Sequence, residues 1–178
     1  MCMTEKDACF TTKELFLDIE EKKAALSKKR PLTVGELNRL NNEFIVEYTY
    51  NSNAIEGNTL TLRETDLVLQ GLTIGQKPLK DHIEAVSHKE AFTFVSELVK
   101  ENVPISEQII KQIHSIVLAD KREDRGVYRR IPVRILGAQH EPVQPYLIQP
   151  KMEELINSYL QNEENIITKL ARFHIEFE

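Results

Sequence analysis

Ser52, Glu56 and Gly57 hold the most suggestive spacing in the chain, inside "YNSNAIEGNTLTLRET" (50–65). Residues four apart share one helical face, so Ser52 would sit one turn behind the Glu56 carboxylate. Gly57 is the residue type favoured just past a helix end. On residue types alone this is a helix ending that presents a carboxylate. The other chemically able residues lack partners at useful spacing. His82 and His88 are six apart and cannot share a helix face, and His114 and His140 have no carboxylate or cysteine at ligand spacing, so no protein-ligated metal is expected. Cys2 and Cys9 have no nearby histidine and are expected to be inert.

The elements that must carry these residues are mostly helical. "TTKELFLDIEEKKAALSKKR" opens with Thr11 and Glu14 at capping-box spacing, and "LTVGELNRLNNEFIVEYTY" repeats the device with Thr33 and Glu36. The second segment's stripe is Leu37, Leu40, Phe44 and Tyr48. A third box, Thr61 with Glu64, predicts a short helix ending near Gly71. A fourth helix is expected from about Leu79 to Lys100, with Ile83, Val86, Phe94, Val95 and Leu98 inward. Pro104 and Ser106 start a fifth, with Ile109, Ile110, Ile113, Ile116 and Val117 as its stripe. A sixth is expected after Pro150, using Met152, Leu155, Ile156, Tyr159 and Leu160. "GVYRRIPVRILGAQHEPVQPYLIQP" breaks the pattern with four prolines; Val133, Ile135 and Val143 suggest one or two short strands around Gly137, in a small edge hairpin or an extended flap on the helical body. The last segment places Ile166, Ile167, Leu170, Phe173, His174 and Phe177 on one face, with His174 read as a core histidine. That pattern still runs at Glu178, without a glycine, proline or basic closing turn, so further sequence is expected to follow.

Composition bounds the class. The chain has 178 residues, 41% apolar and 29% charged, which suits one domain with a packed core, or one domain with a small extension. A formal charge of -5 argues against nucleic acid as the main partner. No apolar run reaches the roughly 20 residues of a membrane helix, and "MCMTEKDACF" lacks a signal-peptide pattern. Two cysteines near the N-terminus give no disulfide framework, so a cytoplasmic location is expected.

Four segments in order, "NSNAIEGNTLTLRET", "GLTIGQKPLKDHIEAVSHKEAF", "GVYRRIPVRI" and "LARFHIEFE", make the sequence resemble a Fic (Fido) domain protein from roughly Leu37 to Glu178. The resemblance implies an all-α Fic-type helical bundle with a short β-hairpin flap. It divides the chain into an N-terminal helical extension, 1–32, and a Fic domain, 33–178. Members transfer AMP from ATP, with Mg, to a Ser, Thr or Tyr hydroxyl of a target protein; some run the reverse reaction. Their signature loop, HPFxxGNGR, supplies the histidine base, the anion cradle and the phosphate-binding arginines. No such motif occurs in these 178 residues. The resemblance places it beyond Glu178, so the sequence is expected to be a fragment, a frameshifted product or a truncated version, inactive alone and assigned no catalytic residue.

Ser52, Glu56 and Gly57 then resemble the inhibitory motif of the subclass that carries its inhibitor in an N-terminal helix. In that subclass the glutamate pairs with the last signature arginine and occupies the space needed by the ATP γ-phosphate. Val133, Arg134, Ile135 and Leu136 resemble the first flap strand, which lies against the nucleotide base and aligns the target by strand addition. "HEPVQP" departs from the family's second strand, which puts target docking in more doubt than nucleotide contact. The resemblance leaves a homo-oligomer open and implies neither nucleic acid nor membrane. The alternative reading is a catalytically inactive helical module that binds a protein partner.

Overall fold

A computed structural model describes residues 12–29, 31–137 and 141–177. Thr11, Cys2, Cys9, His140 and Glu178 lie outside them, and with them the expectations placed on the first capping box and the cysteines. The described residues form seven helices: α1 (Thr12–Ser27), α2 (Val34–Ile55), α3 (Leu62–Leu69), α4 (Leu79–Lys100), α5 (Glu107–Val117), α6 (Pro145–Gln161) and α7 (Ile166–Phe177). The chain divides into two compact units, Met1–Asn42 and Glu43–Glu178. In the first, Thr33 starts α2 through a reciprocal box: its amide donates to Glu36 Oε2 at 2.8 Å and its Oγ1 accepts from the Glu36 amide at 3.3 Å. These bonds satisfy donors that the first helical turn cannot.

In the second unit α4 packs against both α3 and α5, and α6 packs against α5 and α7. The line of α4 that becomes buried is Asp81, Ala85, Ser87 and Ala91. Val86 and Val95, expected inward, are exposed instead. Small residues let the backbones of α3 and α4 approach, and Leu60, Val68 and Ala85 close the core there with Leu69 and Ile74 beside them. A second buried group, Met152, Leu155 and Ile156, lies along α6 as the apolar spacing predicts. Phe44 and Tyr48 of α2 stack at 5.5 Å, and both meet Phe92 of α4 at 5.7 Å.

Three further expectations need correction. Among the described residues there is no β-strand: 132–135 and 141–144 carry no regular structure and Leu136–Gly137 lie in a turn, so they do not form the hairpin predicted near Val133 to Val143. Pro132 and Pro142 bring no N–H to the two arms, which removes donors that a ladder would need. Helix α6 begins at Pro145, not after Pro150. Proline suits the first helical position, and Pro150 is accommodated inside the helix. His174 is exposed and therefore not a core histidine; Phe173 takes the packed position, edge-on to Tyr159 at 5.1 Å.

Candidate functional site

Helix α2 ends as its sequence demands. The Gly57 amide donates to the Ala54 carbonyl at 3.1 Å and the Asn58 amide to the Asn53 carbonyl at 3.0 Å. Gly57 has φ +88°, the left-handed conformation that a side chain would disfavour. This pair of bonds around a left-handed glycine is the Schellman ending, with Glu56 as the cap residue. Ser52 and Asn53 are half-buried on the last turn, whereas Glu56 is exposed and forms no ion pair with a described residue. The carboxylate is thus presented outward from a turn of defined geometry.

The chain after Gly57 is tied to the start of α4. Thr59 donates from its amide (2.9 Å) and its hydroxyl (2.5 Å) to Asp81 Oδ2. Asn58 Nδ2 donates to the Asp81 carbonyl and to Glu84 Oε2, each at 3.0 Å, while its Oδ1 accepts from the Leu60 amide at 3.1 Å. Lys77 donates to the Thr59 carbonyl and lies 3.3 Å from Glu64. Glu64 closes the third capping box on Thr61, and the Thr61 backbone bond is the main reason its carboxyl titrates below the ordinary value. Asp81 is only 5% exposed. Burial alone would push its carboxyl up; the Thr59 hydroxyl and amide, with Lys80 and Lys77, outweigh it and hold the group below the ordinary carboxylate value.

One turn before Ser52, Thr49 is wholly buried and its Oγ1 lies 3.1 Å from His88 Nδ1 on α4. Burial lowers the pKa of His88, which favours the neutral ring. His82 is used structurally: its Nε2 accepts from the Ile74 amide at 2.9 Å, which leaves Nδ1 to donate to the Pro78 carbonyl at 2.9 Å. His114 Nδ1 accepts from the Gly126 amide at 3.0 Å. No group of three or more metal-ligating side chains occurs among the described residues.

The flap residues form a separate region. Val133, Arg134, Ile135 and Leu136 are all exposed, Leu136 at 95%. The two arms are linked by Arg134 and Glu141, 3.9 Å apart, and by Arg129 donating to the Val143 carbonyl. At the root of the flap, Tyr128 lies under Lys111, 4.3 Å from ring centre to Nζ. Burial, then the nearby Glu107 carboxylate, pushes the Tyr128 hydroxyl up to about 12, so it stays neutral near pH 7. No hydrogen bond, ion pair or ring contact among the described residues joins this flap to Ser52, Glu56 or Gly57. The sequence reading missed Asn58, Thr59, Asp81 and the Thr49–His88 pair. Asp81 carried one usable signal, an acidic residue in the first turn of α4; its partner is 22 residues away, which periodicity does not report.

Residues 104–178 match the Fic/DOC family. The chain is 30% identical over 136 residues to the protein adenylyltransferase fic-1 of Caenorhabditis elegans, covering 74% of this chain and 26% of that protein. It is 27% identical over 163 residues to the protein adenylyltransferase Fic of Drosophila grimshawi, covering 89% of this chain and 33% of that protein. A Fic domain containing signaling protein from Bacteroides thetaiotaomicron shares the fold with a TM-score of 0.74 and 29% identity, over 80% of this chain and 56% of that one. A Fic-1 fragment from C. elegans gives a TM-score of 0.67 and 26% identity, over 85% of this chain and 44% of that one. The chain therefore spans between a quarter and a third of the length of these two curated relatives. No helix among the described residues is long and apolar enough to cross a membrane.

Proposed function

Since this chain is a Fic/DOC family protein related to the Fic protein adenylyltransferases, we propose that it is the regulatory and flap-bearing part of such an enzyme, autoinhibited by Glu56. Residues 1–32 are the N-terminal extension and 33–178 the Fic domain without its signature loop. The reaction served is transfer of AMP from ATP, with Mg, to a hydroxyl side chain of a target protein, in the cytoplasm. The target hydroxyl attacks the α-phosphorus, the bond to the bridging oxygen breaks, and pyrophosphate leaves. ATP and Mg belong to the whole enzyme; within this chain the exposed segment Val133–Leu136 offers apolar and guanidinium groups to a base or a target backbone.

The observation that carries the reading is the α2 ending: an exposed carboxylate on a glycine-capped turn, with half-buried Ser52 one turn behind it. A carboxylate near a triphosphate is repelled by about 4 kcal/mol per unit charge at 4 Å in a medium of effective dielectric near 20. In a version of the protein extended through HPFxxGNGR, Glu56→Gly should raise auto-modification by about tenfold to a thousandfold, at roughly 1.4 kcal/mol per decade. Ser52→Ala should act in the same direction but more weakly, losing at most about 1 kcal/mol of hydroxyl bonding. Labelling with radioactive ATP measures all three; equal labelling would mean that Ser52, Glu56 and Gly57 form a helix ending and nothing more.

A further inference from the structure

The turn that presents Glu56 is not held by α2 alone. Every backbone amide from Glu56 to Thr61 donates to a defined acceptor: Asn53, Ala54 and Asn53 carbonyls for Glu56, Gly57 and Asn58, then Asp81 Oδ2, Asn58 Oδ1 and Glu64 Oε2 for Thr59, Leu60 and Thr61. The Asp81 carboxylate is the one acceptor in this series supplied by α4. It is also the buried one, and it takes two bonds from a single residue, Thr59. Its own main-chain carbonyl takes a third bond from Asn58. Thr59 itself is exposed, so its hydroxyl contributes little to the core beyond this clasp. Leu60 follows directly and is buried, which fixes the far side of the segment.

We propose that Asp81 is a positioning residue that clasps the Glu56–Gly57 turn to α4 through Thr59 and Asn58, and so presents the inhibitory carboxylate from a fixed backbone. The proposal rests on the inhibitory reading of Glu56 and deepens it: inhibition then depends on a contact between α4 and the loop after α2, not only on the carboxylate. A helix end freed from α4 would fray, as helix termini do when only their own backbone bonds remain. A carboxylate on a fraying turn visits many positions, and only a fraction of them blocks an anion site.

The test uses two readouts. In the 178-residue chain, amide hydrogen exchange at Gly57, Asn58 and Thr59 should quicken by about tenfold or more in Thr59→Val and Asp81→Asn, with the amides of α5 unmoved. Thr59→Ser keeps the donor hydroxyl and should exchange like wild type. Thr59→Val serves where Asp81→Asn fails to fold, because its site is exposed. Unchanged exchange in Thr59→Val overturns the clasp. In the version extended through the signature loop, auto-labelling by Thr59→Val should lie between wild type and Glu56→Gly, and Thr59→Ser should restore the wild-type level. If Glu56→Gly raises labelling and Thr59→Val does not, Asp81 does not position the inhibitor and the proposal falls. If Glu56→Gly itself leaves labelling unchanged, the inhibitory reading fails, and the exchange rates at Gly57 and Asn58 alone decide whether Asp81 holds the turn.

Discussion

Asp81 shows how one buried carboxylate can be stabilising where isolated burial would not be. Removing it from water favours the neutral acid, but two donors from Thr59 and the neighbouring Lys80 and Lys77 favour the anion more. Its folded pKa therefore lies below its unfolded one. The folded state binds fewer protons through that interval, so the contribution is present above the unfolded value near 3.9 and is lost as pH falls through the lower folded value. The expected outcome is a urea midpoint that drops more steeply below about pH 4 in wild type than in Asp81→Asn, because the variant has no proton to take up there. Parallel pH dependences would show that another carboxylate, Glu64 being the first candidate, carries the acid sensitivity. At this scale the sequence was legible where partners are local. Thr33–Glu36 and Thr61–Glu64 are three apart and were readable as boxes; Gly57 was readable as a stop. Thr59–Asp81 and Thr49–His88 are separated by 22 and 39 residues, and nothing in a linear pattern announces them.

At the scale of elements, local signals placed most helix boundaries, since caps and stops are written in neighbouring residues. Helix α4 starts at Leu79 and ends at Lys100 as the spacing predicts, and Ser106 caps α5 through the Ile109 amide at 3.3 Å. The inward face of α4 was not legible, because a central helix between two neighbours buries small residues and leaves its valines at the rim. The flap was misread for a different reason. Alternating apolar residues indicate an extended chain, but a strand also needs a partner with amides to give, and the prolines withhold them. What holds the flap root is instead Gly126. Its φ is +71°, and a Cβ there would come within 3.2 Å of the Lys111 carbonyl and 3.3 Å of Ser115 Cβ. Gly126→Ala should therefore cost about 1–3 kcal/mol from the left-handed backbone alone, with crowding in addition. It should also lengthen or break the Gly126–His114 bond. Thermal unfolding checks the first effect and the His114 ring resonances the second. A variant that melts with wild type and keeps its His114 shifts would mean that the α5 end yields easily.

At the scale of the whole molecule, the described residues supply a helical scaffold, a carboxylate turn and an exposed flap segment. Phosphoryl and nucleotidyl transfer depend on positioning the donor and neutralising charge that develops on its oxygens. General-base assistance typically adds about 10²–10⁴-fold, and loss of a single preorganised anion donor costs about 10²–10³-fold. The HPFxxGNGR motif that the family resemblance expects to provide both is not among these 178 residues, and three histidines have structural partners: His82 on Ile74 and Pro78, His88 on Thr49, His114 on Gly126. The expectation is that the 178-residue chain alone, incubated with labelled ATP and Mg, leaves no label on itself or on proteins of a lysate. Joining it to the signature loop should bring labelling above background, and Glu56→Gly should raise it further. Robust labelling by the 178 residues alone, abolished by a single substitution among them, would place the base and the anion cradle within α1 to α7. The helical scaffold would then hold a different active site from the one the family resemblance implies.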